Sequence, residues 1–201
     1  MTLDRLPLWA ACLPLGLYFV LLGMAHVRRV PLAISGAWDQ TLLAAAVAGF
    51  VAAGPLAVVQ PAIGTTPWSA MLLVALFVLV VAVGTVVARP RLVIYNITLE
   101  QLRPLVADVV SGLDAAARWA GGTAALPTRR LEIRIDGHGP TRAVSIVAGG
   151  DRPPAEEWSE FCGRLRRGLG GVRVRTSPWG GGFLAIGGLL LAVAGWLAAV
   201  S

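Results

Sequence analysis

The chain has 201 residues and a mass of 21.0 kDa, with 56% hydrophobic residues, 14% charged residues and a mean hydropathy of +0.73. Soluble domains carry about a quarter charged residues, so this composition argues against a soluble globular protein, and its hydrophobicity excludes a disordered one. All 17 basic residues are arginines against 11 acids, a net charge of +6, which together with the abundant Ala, Gly, Val and Pro suggests a GC-rich bacterial genome.

A helix needs roughly 20 mostly apolar residues to cross a hydrocarbon core. Residues 6–27, 42–59, 68–88 and 183–200 qualify, and none of the four stretches contains Asp, Glu or Arg. Trp9, Trp68, Trp179 and Trp196 stand near the ends of these spans, where amphipathic rings favour the headgroup level. The Gly23-Met24-Ala25 triplet could be read as a leader cleavage site. The start of the chain, however, has one Asp cancelling one Arg, and the apolar run is too long for a leader, so a retained helix is expected. Arg28 and Arg29 follow the first span, and Arg89 and Arg91 follow the third, whereas residues 60–67 carry no charge. The positive-inside rule therefore puts residues 89–179 in the cytoplasm and both termini outside, in a multi-pass protein of the bacterial inner membrane. The domain plan is three spans within residues 1–88, a cytoplasmic domain at 89–179, and the fourth span within 180–201.

The insert is long enough for one small core. Arg91-Leu92-Val93-Ile94-Tyr95 reads as a strand. Thr98 and Gln101 match a capping box, and Leu99, Leu102, Val106, Val109 and Leu113 line one helical face. Pro104 predicts a kink or a start nearer Arg103. A short extended piece at 123–126, an alternating strand at 131–136 and a second strand at 142–147 follow, the last two joined by the 137–140 turn. After Asp151 and Pro153-Pro154 comes a helix with Trp158, Phe161, Cys162 and Leu165 on its buried stripe, acids in its first turns and arginines in its last. Residues 172–175 read as a final strand. The expected fold class is thus four transmembrane helices plus a small α+β, ferredoxin-like βαββαβ domain between the third and fourth.

The stretch from Arg89-Pro90-Arg91 to Tyr95-Asn96, the Leu99-to-Pro104 segment and Ala117-Arg118-Trp119-Ala120-Gly121 resemble a family of uncharacterised bacterial multi-pass membrane proteins. Residues 31–39 fit that family as well. The resemblance implies a four-helix membrane protein with a cytoplasmic α+β insert, and no activity or residue role comes with it.

Chemical motifs are sparse. A chain without lysine has no phosphate-cradling Gly-x-x-x-x-Gly-Lys loop. Gly180-Gly181-Gly182 reads as an interfacial joint, and Asp39 as a helix cap. Cys12 and Cys162 are small packing residues without metal spacing. His26 is an interfacial residue or, alternatively, a pH-responsive group, and His138 sits in a solvated turn. No catalytic residue, cofactor or metal is expected. With 14 arginines against 9 acids and no aromatic RNA-binding motif, the insert is not expected to bind nucleic acid.

Two surfaces stand out. Ala185, Gly188, Ala192, Gly195 and Ala199 recur at helical spacing in the fourth span, and Ala45, Gly49 and Ala53 do so in the second. Such small residues allow close helix approach, either within the chain or as a seam for another subunit. Glu132, Arg134, Arg173 and Arg175 are expected on the open sheet face, and Arg164, Arg166 and Arg167 at a helix end, as a partner or lipid surface. The favoured function is a non-enzymatic accessory or scaffold subunit that contacts membrane lipid and presents its α+β module to a protein partner. The alternatives are a small homo-oligomeric channel or transporter component, and a membrane enzyme of unknown chemistry.

Overall fold

A computed structural model of the chain describes residues 7–64, 66–138, 141–150 and 153–200. In chain order its first elements are α1 (Leu8–Val27), β1 (Leu32–Ser35), α2 (Gly36–Val51), α3 (Ala57–Ile63), α4 (Pro67–Val87), β2 (Arg91–Tyr95) and α5 (Leu99–Leu113). Then follow β3 (Arg118–Ala120), β4 (Thr123–Leu126), β5 (Leu131–His138), β6 (Ala143–Gly149), α6 (Ala155–Gly170) and α7 (Pro178–Val200). They form two units. One comprises Met1–Met24, Gln40–Ala88 and Gly181–Ser201, and the other Ala25–Asp39 and Arg89–Gly180.

Four helices are long and apolar enough to cross a membrane: Leu8–Val27, Gly36–Ile63, Pro67–Val87 and Pro178–Val200. They are apolar all round, so helix formation follows from the need to satisfy every backbone N–H and C=O within the segment rather than from an amphipathic stripe. The second runs further at both ends than the sequence suggests. Pro55 cannot donate a backbone hydrogen bond, yet α2 does not stop there; a π-turn at Ala52–Leu56 absorbs the proline and passes the chain into α3. Thr66 caps α4 by accepting from the Ser69 amide at 3.3 Å, and Pro67 occupies the first helical position, where no N–H is needed.

Glycines set the closest helix approaches in this unit. A Cβ on Gly49 would stand 2.5 Å from the Ala11 Cα, and one on Gly187 would stand 2.8 Å from the Val20 backbone nitrogen. Neither neighbour is a flexible side-chain tip, so nothing can move aside cheaply.

In the other unit the six strands form one antiparallel sheet in the order β1-β2-β6-β5-β4-β3. Because β6 lies antiparallel between β2 and β5, those two outer strands run in the same direction. Leu92 and Ile94 of β2, Leu131, Ile133 and Ile135 of β5, and Val144 and Ile146 of β6 share one face. That face is covered by Leu102, Val106 and Val110 of α5 and Phe161, Cys162 and Leu165 of α6. Strict alternation in β6, where Val144, Ile146 and Ala148 are buried and their neighbours are not, reflects the two-residue period of a sheet covered on one side.

Several sequence expectations are corrected. Residues 172–175 belong to no strand, and the position beside β2 is taken instead by β1, which pairs from Leu32↔Tyr95 to Ser35↔Leu92. Helix α5 begins at Leu99, not near Arg103. Thr98 accepts from the Gln101 amide while Gln101 accepts from the Thr98 amide, and this capping box carries the helix through Pro104. A hairpin of β3 and β4 extends the sheet where only an extended piece at 123–126 is expected. Gly137 and His138, expected in the turn, instead extend β5 and pair with Val144 and Ala143, while Gly139-Pro140 and Asp151 lie outside the described residues.

Buried Asp114 closes α5. Its carboxylate accepts from the amides of Ala116 at 2.8 Å and Thr128 at 2.9 Å, tying the helix end to the turn after β4. Hydrogen bonding from Thr128, aided by the Ala116 amide and the Arg129 charge, outweighs burial and holds this carboxyl below the usual carboxylate range. Burial pushes the Cys162 thiol the other way, up to about 11.

Two outcomes follow. A Gly187→Val substitution overpacks a backbone-lined contact and lowers thermal stability in detergent by about 1–3 kcal/mol. A depressed carboxyl contributes stability above its unfolded value and loses it as pH falls through its folded value. Asp114→Asn therefore destabilises the protein at neutral pH, and the gap to the wild type narrows as pH drops below about 4 in thermal melts.

Candidate functional site

The candidate site is built by two short backbone connections. The Val174 amide donates to the Arg29 carbonyl at 3.0 Å, and the Ser177 amide donates to the His26 carbonyl at 3.0 Å. These bonds hold the chain after α1 against the chain before α7. Arg29, Arg173, Val174, Arg175 and Thr176 consequently line one open cavity of about 630 Å³. All three arginines are exposed, and among the described residues none has a carboxylate partner.

Several other arginines of the unit meet carboxylates. Arg129 reaches Glu157 at 2.7 Å and Glu160 at 3.0 Å, and Arg164 reaches Glu160 at 2.6 Å and the Gly112 carbonyl at 3.1 Å. The bond from Arg164 and the charge of Arg129 draw the Glu160 carboxyl below its ordinary range, while Glu157 above all raises Arg129. Arg166 and Arg167 are exposed on the same helix, α6. Glu132 and Arg134 point to the open side of β5, where Arg134 pairs with Asp136 at 3.0 Å. The sequence-predicted surface is therefore divided: Arg173 and Arg175 join Arg29, whereas Glu132 and Arg134 lie on a strand and Arg164 in an ion-pair network. Arg29 is marked in the sequence only as an orientation signal, and nothing linear connects it with Arg173.

A second polar cluster lies where β1 meets β2. Asp39, in the first turn of α2, accepts from the Tyr95 hydroxyl at 2.5 Å and pairs with Arg91 at 3.4 Å. Asp39 therefore acts through its carboxylate on β2; Ser35 supplies the hydroxyl at the start of α2, accepting from the Trp38 amide at 3.4 Å. Gly36 is required here because a side chain would run into that of Arg91. The Tyr95 ring meets the His26 ring edge-on at 5.6 Å, and buried His26 directs Nε2 to the Thr141 carbonyl at 3.1 Å. Asn96, buried with φ +61°, donates to the Arg28 carbonyl at 2.5 Å. These contacts fix the backbone that carries Arg29. Among the described residues no group of three or more His, Cys, Asp and Glu is arranged to hold a metal ion.

In the apolar unit, Ala185, Gly188, Ala192, Gly195 and Ala199 are all exposed on α7, and a Cβ on Gly188 or Gly195 would meet open space. The contact side of that helix carries Leu184, Gly187, Leu191 and Ala194. On α2, Ala45 is exposed and Gly49 packs on Ala11; Ala53, half-buried, falls in the π-turn.

Replacing Tyr95 with Phe removes a hydrogen bond to a charged acceptor and lowers the unfolding free energy by about 1–3 kcal/mol, read by denaturant titration in detergent.

No protein-family model matches this chain, no curated protein matches its sequence, and no solved structure matches its fold.

Proposed function

We propose that the chain is an accessory subunit of the bacterial inner membrane, anchored by its four apolar helices, which presents the α+β unit to a protein partner in the cytoplasm. The observation that carries this reading is the outer strand β3. All three of its residues are exposed, its outward edge is unpaired among the described residues, and Trp119 is 40% exposed there. Unpaired strand edges are templates for another chain, and tryptophan is enriched among the residues that dominate interface energy. The side of the membrane is inferred from Arg28, Arg29, Arg89 and Arg91. We read the α+β unit as ferredoxin-like, with β2, α5, β5, β6 and α6 as its core and β1 in the place of a fourth strand.

The exposed small-residue side of α7 favours a second reading, a homo-oligomer sealed through that helix. Native mass spectrometry of the protein extracted from its own membranes separates the two. A defined hetero-complex weakened about thirtyfold by Trp119→Ala supports the accessory subunit. A pure homo-oligomer dispersed by Gly188→Leu rejects it in favour of the oligomer. A lone monomer, with Trp119→Ala silent, rejects both.

A further inference from the structure

We propose that Arg29, Arg173 and Arg175, with the Thr176 hydroxyl, form a binding site for a phosphate group, and that its source is the headgroup of an anionic phospholipid. Three arginines line one cavity, where like charges gathered together repel, and among the described residues none of them pairs with a carboxylate. Arg91, Arg129, Arg134 and Arg164 of the same unit each pair with a carboxylate, whereas among the described residues Arg29, Arg173 and Arg175 do not. Guanidinium presents a planar fork of donors that fits phosphate oxygens in pairs, and a phosphate supplies the absent negative charge.

The site is also built rather than incidental. The bond from the Val174 amide to the Arg29 carbonyl fixes the chain that carries Arg173 and Arg175 against the chain that carries Arg29. At about 630 Å³ the cavity lies within the range of small-ligand sites, roughly 300–1,000 Å³.

Connectivity chooses the lipid as source. Arg29 is two residues beyond Val27, the last residue of one apolar helix, and Arg175 is three residues before Pro178, the first of another. An extended chain covers at most about 3.6 Å per residue, so the arginines cannot leave the neighbourhood of two helix ends. Anionic headgroups are concentrated at that level, where each arginine adds to the attraction. The site stands whether or not a protein binds at β3.

The test uses the full chain in a neutral detergent, with native mass spectrometry reading bound lipid. The probes are phosphatidylglycerol, diacylglycerol, which lacks the phosphate, and inorganic phosphate alone. The expected result is retention of phosphatidylglycerol but not diacylglycerol, weakened about tenfold or more by R29Q/R173Q/R175Q. R175Q alone gives a smaller loss, and R166Q/R167Q, which removes two exposed arginines elsewhere, gives little. Displacement of the lipid by millimolar inorganic phosphate supports phosphate recognition and moves the source to solution. Equal retention of diacylglycerol, or equal losses in the triple variant and R166Q/R167Q, would overturn the proposal. Should the triple variant fail to fold, unchanged binding in R175Q and in a singly substituted R29Q would overturn it equally.

Discussion

The pairing of β1 with β2 is the interaction on which the organisation of the α+β unit depends. Residues 32–35 come from the short connection between the first two apolar helices, yet they hydrogen-bond along four residues of a strand that begins at Arg91. An uncovered β2 edge would leave backbone donors and acceptors unpaired, and β1 satisfies them while Ala33 reaches the core. Once β1 is in place, its flanks are placed too. Ser35 starts α2, Asp39 comes within reach of Tyr95 and Arg91, and on the other side Arg28 and Arg29 are held by Asn96 and Val174.

Charge in this unit follows two regimes. On α6 and the turn after β4, arginines meet acids in a network, with Glu160 shared between Arg129 and Arg164. Such half-exposed pairs contribute little stability singly and mostly fix side-chain directions. Around the Arg29 cavity positive charge accumulates without a balancing acid among the described residues. Concentrated charge of one sign raises the local potential and attracts counter-ions.

The apolar unit obeys a different constraint. Lipid offers no hydrophobic drive for helix association, so contact depends on how closely backbones approach. Gly49 and Gly187 supply that approach inside the unit, whereas the regularly spaced Gly188 and Gly195 face outward. Spacing reveals small-residue stripes but not which stripe is used, because Ala and Gly occur on every side of α7. The π-turn around Pro55 is similarly a compromise between a missing donor and the need to continue the helix.

Much of both units is legible in the amino-acid order. The four apolar stretches, the capping box at Thr98 and Gln101, the alternation of residues 131–136 and the buried stripe of α6 are local patterns with local causes: hydrophobic run length, side-chain capping and the periods of helix and strand. The replacement of a strand at 172–175 by β1 is not local. Both segments are short and adjacent to apolar helices, and the edge of β2 not taken by β6 is occupied by β1. Likewise the sequence marks Arg29, Arg173 and Arg175 as charged, but their convergence is decided by two backbone hydrogen bonds between distant segments. Composition and periodicity determined which segments are apolar helices and which build a sheet. Tertiary structure decided which residues meet, because hydrogen-bond partners far apart in the chain are chosen by the closed fold and leave no periodic trace in either segment.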